Sequence, residues 1–194
     1  YPKILADHHI VEFLTDYLRL MVGGNMNAFE IESLMDEEIE THHTEGEAPA
    51  HALMRVGDAM PAFTSDPITR THLVRYAGAS GDFNPLHHDE TFVKMFGMPR
   101  VISHGMFVMG IVGQAVTDWV DDKNLRKFGV RFSGMTEPMD LDDPNSRDRA
   151  TIVVTGNVVE KFEADGEKRM RCEIQAADKL GGVKLTGSFI AALS

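Results

Sequence analysis

Ile10, Phe13, Leu14, Tyr17, Leu18 and Met21 recur at helical spacing, which predicts an amphipathic helix ending at Gly23-Gly24. A second helix is predicted through NAFEIESLMDEEIETHH, where Phe29, Ile31, Leu34, Met35 and Ile39 make a rougher stripe. TEGEAPAHA then reads as a linker, with Gly46, Pro49 and several small residues. Residues 1–52 are therefore expected to form a helical appendage ahead of a domain at 53–194. The second half of the chain changes period. TIVVTGNVVEKF and KRMRCEIQAADKL are β-branched or alternating runs separated by Ala164-Asp165-Gly166-Glu167, and VKLTGSFIAAL follows Gly181-Gly182. This predicts a three-stranded antiparallel meander. KFGVRFSG, residues 127–134, supplies a fourth strand, and MRVGDAMPAF a short one.

Between the short strand and the meander lies SHGMFVMGIVGQAVTDW. Its apolar residues leave almost no polar face, and a helix apolar all round is a buried helix. One central buried helix followed by an antiparallel sheet that must wrap it predicts a hot-dog fold, in the α+β class.

Charge narrows the functional classes. The chain of 194 residues has a net charge of −11, which argues against nucleic acid or an anionic membrane as partner, since both need basic surface. From Glu30 to Glu47 eight acids meet no Lys or Arg. No apolar run approaches the ~20 residues of a membrane span, and the first residues lack the layout of a secretory signal. Cys172 is the only cysteine, so no internal disulfide exists, and a cytoplasmic setting is expected.

Chemistry concentrates in ASGDFNPLHHDE, Ala79 to Glu90. Gly81, Asp82, Asn84 and Pro85 are turn formers, and a solvated turn is the plain reading. Pro85, however, fixes its own φ and restricts Asn84 to extended conformations, which holds Asp82 and His87 in a defined relation across a rigid corner. A second segment, VISHGMF, is complementary. Ser103 or His104 is expected to cap the apolar helix, leaving the Gly105 N–H at its positive end, unobstructed by a side chain, as an oxyanion site.

YAGASGDFNPLHHDETF followed by GMPRVISHGMFVMG resembles the (R)-specific enoyl-CoA hydratase motif of MaoC-like dehydratases, in which Ser-Gly-Asp-x-Asn-Pro-x-His precedes a His-Gly-Met helix start. The resemblance spans roughly Met54 to Ser194, including VGDAMP, TDWV and FGVRF, and is closest to the branch of actinobacterial dehydratase subunits. One departure is visible: the family's Pro-Val-x-x-Gly-Asp is here PMDLDD, Pro138 to Asp143. The resemblance implies reversible hydration of a trans-2-enoyl thioester, bound to CoA or an acyl carrier protein, the alternative being a non-catalytic hot-dog subunit that lends its fold to a partner. Asp82 and His87 would hold one water and exchange protons, and Gly105 would stabilise the thioester oxygen. Asn84, Ser103 and His104 are assigned binding or orienting roles, as is His88 a structural one. No cofactor is needed. Because a single hot dog exposes a sheet edge, a homodimer or heterodimer through that edge is expected.

Other chemistries are disfavoured. His8-His9 and His42-His43 are adjacent pairs facing different ways, with no Cys cluster or His-Glu-x-x-His spacing, so no metal site is assigned. Cys172 sits mid-strand without a basic neighbour to activate it. Residues 1–63 are similar to the cytoplasmic region of the flagellar motor stator A subunit. That family's membrane helix does not follow here, which leaves this stretch as a helical interaction module joined to a hydratase, a chimera of two families.

Overall fold

The structure, a computed structural model, describes residues 54–193. The two N-terminal helices, the acidic run and the histidine pairs at 8–9 and 42–43 lie outside the described residues. In chain order the elements are β1 (Phe63–Thr64), α1 (Arg70–Ser80), α2 (Glu90–Met95), α3 (Gly105–Trp119), β2 (Leu125–Phe132), α4 (Ser146–Ala150), β3 (Ile152–Ala164), β4 (Glu167–Asp178) and β5 (Val183–Ala192). The strands form one antiparallel sheet in the order β1-β3-β4-β5-β2.

The period-two pattern decides which face of the sheet is buried. Val154, Val158, Cys172, Ile174, Leu185 and Phe189 all point into the core. The same face receives Val108, Val112, Ala115, Val116 and Trp119 of α3, and the Trp119 and Phe189 rings meet edge to face at 6.0 Å. This is the α+β hot-dog arrangement, one long apolar helix against an antiparallel sheet. The helix is covered on one side only: Met106 is 57% exposed, and Gly110, Gln114 and Thr117 follow it on the open side.

Asp165 and Gly166 join β3 to β4 with φ of 52° and 76°. Two consecutive left-handed residues make the tight turn whose twist matches that of the strands, and a glycine takes the second at little strain. The short strand expected from MRVGDAMPAF reduces to β1 and an isolated bridge between Ala59 and Asn157. Residues 57–65 nevertheless follow β3 closely: Gly57 N–H donates to Val158 at 2.8 Å, Met60 N–H to Gly156 at 2.8 Å and Ser65 N–H to Ile152 at 2.9 Å.

The polar segment after Pro138 is held by charge. Arg100 reaches Glu137, Asp140 and Asp143 at 3.5, 3.4 and 3.6 Å, and Arg149 pairs with Asp143 and Glu137. Among the described residues no helix is long and apolar enough to cross a membrane.

Candidate active site

Helix α1 delivers the first site residue. Thr69 caps its start, accepting from the His72 N–H, and Gly81 ends it at φ 75°, with its N–H donating to Ala77 at 2.9 Å. That left-handed residue is one a glycine adopts readily, and it turns the chain so that Asp82 leaves the helix axis. The Asp82 carboxylate accepts from the Asn84 N–H at 3.3 Å. Asn84, at φ −59° and ψ 128°, is extended as a residue before proline must be. Its side chain accepts from the Leu86 N–H at 3.1 Å and caps a single 3-10 turn, Pro85–His87. Asn84 therefore orients the loop.

His87 Nδ1 lies 2.8 Å from the Ile102 carbonyl. A carbonyl only accepts, so Nδ1 carries the hydrogen. In the neutral ring the lone pair then sits on Nε2, which faces Asp82 Oδ2 at 3.8 Å. The His87 side chain is 11% exposed and that of Asp82 51%. The pair thus joins a shielded imidazole to a solvent-facing carboxylate across a gap wide enough for one water to touch both.

Behind them lies His104, 1% exposed. Its ring stacks on His87 with centroids 3.7 Å apart and planes 26° from parallel. His104 Nε2 donates to the Asp82 main-chain carbonyl at 3.1 Å, leaving its buried Nδ1 without a partner. Burial lowers its pKa below the ordinary 6.5, against the opposing hydrogen bond to Asp82. Burial thus disfavours the charged form of His104. The ligand-capable atoms of Asp82, His87 and His104 lie within 4.8 Å of one another. Stacked rings keep their in-plane lone pairs from converging on one ion, and His104 Nε2 is occupied by its hydrogen.

The expected cap of α3 is not there. Helix α3 starts at Gly105 with no side-chain cap. Ser103 instead donates its N–H to the Thr136 carbonyl at 2.7 Å, and its hydroxyl makes a long contact of 3.4 Å to the His104 carbonyl. The reason is geometric: His104, the residue in the capping position, has its ring committed to Asp82 and His87. The first-turn N–H groups of Gly105 and Met106 have no intrahelical acceptor and carry the positive end of the helix. His87, Ser103, Gly105, Val108 and Phe132 line one cavity of about 160 Å³. His88 faces away, its Nε2 against the Phe83 carbonyl at 3.1 Å. Cys172 is fully buried, and burial pushes its thiol up to about 12, consistent with the inert role expected of it.

A larger groove of about 860 Å³ opens on the outer face of the sheet, among Arg131, Asn157, Glu173 and Gln175. It contains none of the site residues. Its polar strand faces lack the convergent titratable pair found at His87, so the smaller cavity is the candidate site.

Two contributors escape sequence reasoning. Ile102 acts through its carbonyl, which no side-chain motif announces, and Phe132 reaches Gly105 only because β2 folds back over the helix start.

Residues 54–171 match the family described as MaoC like domain, more than half of the chain. The chain belongs to the MaoC-like family. Within it, the 3-hydroxyacyl-thioester dehydratase X of Mycobacterium tuberculosis is 47% identical over 66 residues, covering 34% of this chain and 23% of that protein. The unliganded R-hydratase PhaJ1 of Pseudomonas aeruginosa superposes with a TM-score of 0.59 at 23% identity, covering 74% of this chain and 84% of that one. A stretch of 63 residues is 64% identical to Motility protein A of Salmonella typhimurium, covering 32% of this chain and 21% of that protein. The chain thus spans under a quarter of either curated relative, and it carries similarity to two unrelated ones.

Proposed function

We propose that this MaoC-like chain is a hydro-lyase that adds water reversibly to a trans-2-enoyl thioester, giving the (R)-3-hydroxyacyl thioester. The observation that carries the reading is the Asp82–His87 pair, 3.8 Å apart, with His87 fixed by Ile102 so that its basic nitrogen faces the carboxylate. The names of the relatives, a dehydratase of hydroxyacyl thioesters and an R-hydratase, support the same substrate class.

A water between the two groups donates one hydrogen to each, which aims its oxygen lone pair at C3. The pair takes one proton as the oxygen bonds to C3. The C2–C3 π electrons shift toward the thioester carbonyl, whose oxygen becomes negative, and the Gly105 N–H at the uncapped start of α3 faces that charge. The pair then returns the proton to C2. Hydrogen and hydroxyl are both supplied by the one water, so the dyad is regenerated and no cofactor enters. Positioned acid–base groups of this kind contribute roughly 10² to 10⁴-fold.

The acyl carrier, CoA or a carrier protein, is proposed without preference. We also propose a dimer joined through β2, whose outer edge has no partner strand among the described residues and which an isolated chain would leave open. Residues 1–52 are proposed as a helical interaction module with no part in the chemistry. The test is loss of enoyl-thioester absorbance on adding the protein to trans-2-butenoyl-CoA, with the chiral product resolved. No absorbance change with four-, eight- or twelve-carbon substrates, or an (S) product, would overturn the reading.

A further inference from the structure

We infer that Phe132 walls the acyl side of this cavity and makes the protein favour short acyl chains over long ones. The inference rests on the thioester reading above, which sets the reacting end at His87 and Gly105.

Phe132 ends β2, paired with Leu185 of β5. Leu185 is fully buried toward the helix, so the pleat turns Phe132 to the same face. Its ring lies over the first turn of α3: a Cβ built on Gly105 would meet Phe132 Cε1 at 3.3 Å and Cδ1 and Cζ at 3.5 Å. An acyl group with its thioester oxygen at the Gly105 N–H would have that ring as one wall of the cavity. Val108, 3% exposed and one turn further along α3, forms the opposite wall, on the Gly105 face by its i,i+3 spacing. Its branched side chain has one strongly preferred rotamer in a helix and yields little.

Lys184 also lines the cavity, and its side chain is locked. Lys184 Nζ pairs with Asp178 Oδ2 at 2.8 Å, with side chains 12% and 5% exposed, and donates to the Met135 carbonyl at 3.1 Å. Asp178 also accepts from the Leu180 and Gly182 N–H groups at 3.0 and 2.8 Å. Running hydrocarbon into that corner would strip a shielded ion pair of its surroundings with nothing in return. The volume agrees in sense: the cavity of about 160 Å³ is below the ~300–1,000 Å³ typical of sites for larger ligands.

The experiment compares the full chain with Phe132→Ala and Phe132→Leu on trans-2-enoyl-CoA of four, eight and twelve carbons. Binding of the saturated acyl-CoA of each length is measured by calorimetry in parallel. Phe132 is 46% exposed, so neither variant removes a core residue, and Phe132→Leu guards against misfolding of the smaller one. The parent is expected to favour four carbons over twelve by about tenfold or more in kcat/KM, and Phe132→Ala to raise the eight-to-four ratio by about tenfold, with Phe132→Leu between. Binding ratios should move in the same direction. Hydration with a twelve-carbon preference in the parent, or with ratios unmoved by either variant, overturns the inference while leaving the reaction standing. Absence of hydration with binding ratios that shift as stated overturns the reaction and keeps the pocket. Absence of both overturns both.

Discussion

The imidazole of His104 lies face to face with that of His87 at 3.7 Å while its Nε2 holds the main-chain carbonyl of Asp82 at 3.1 Å. One buried ring thus contacts both Asp82 and His87, which are set relative to each other rather than separately.

The kinetics should show that coupling. Asp82→Asn and His87→Ala are each expected to lower kcat by 10²-fold or more, and the double variant to be scarcely worse than the worse single one, because in the proposed reaction both act on one water. Circular dichroism of Asp82→Asn should be unchanged, since Asp82 is solvent-facing. Near-parental kcat in either single variant would sink the dyad.

At Gly105 the expectation comes from contact distance. A β carbon there would sit 3.3 Å from Phe132, close enough that the ring must give. Gly105→Ala should slow turnover mildly and Gly105→Val by about 10² or more, the scale of losing an oxyanion donor, with little change in melting temperature because position 105 is exposed. Equal catalysis by Gly105→Val and the parent would remove the helix start from the mechanism.

The Lys184–Asp178 pair predicts a stability effect with a defined pH dependence. Burial raises the Asp178 pKa, but the Lys184 ammonium and the Gly182 and Leu180 N–H groups outweigh it, so the folded value lies below the ordinary 3.8. A depressed carboxylate stabilises above its unfolded pKa, and that contribution is lost as pH falls through the lower folded value. Asp178→Ala should therefore destabilise at neutral pH by about 3 kcal/mol, the scale of leaving a shielded charge unpaired. The difference in denaturant midpoint from the parent should shrink below pH 3.8. A constant difference across that range would mean the pair is not the cause.

Truncation tests the domain boundary. Residues 57–65 pair along β3, and Met54 and Met60 are buried. A chain starting at residue 53 is expected to fold and hydrate within a few-fold of the parent, whereas one starting at 64 should lose solubility or several degrees of melting temperature. Equal melting of the two would show that the β3 edge does not need this cover. An inactive 53–194 chain would make the preceding segment integral to the domain.

What the sequence made legible follows from range. Asp82 and His87 lie five residues apart around a proline, so their relation is local and readable. The meander is local too, signalled by a turn that needs left-handed residues. Helix α1 was missed because Leu73 and Ala77 are its only buried residues, too few to make an apolar stripe. Its capping partner His72 also lacks the Glu or Gln that marks a capping box in sequence. The expected cap on α3 failed because the His104 ring is claimed by residues in another element. Likewise, nothing local in PMDLDD announces that Arg100 and Arg149 will hold it.

The turn at Asp165-Gly166 also bears on the order in which the molecule is made. It lets β3 and β4 zip together with almost no chain to close between them, while β2 must find β5 across the whole length of that hairpin, at a loop-closure entropy that local pairing does not meet. Phe132 reaches Gly105 only once β2 and β5 are joined. A chain with its hairpin formed and β2 still free would lack the ring that lies over Gly105, so on the reading proposed above its acyl wall would depend on a pairing of strands far apart in sequence.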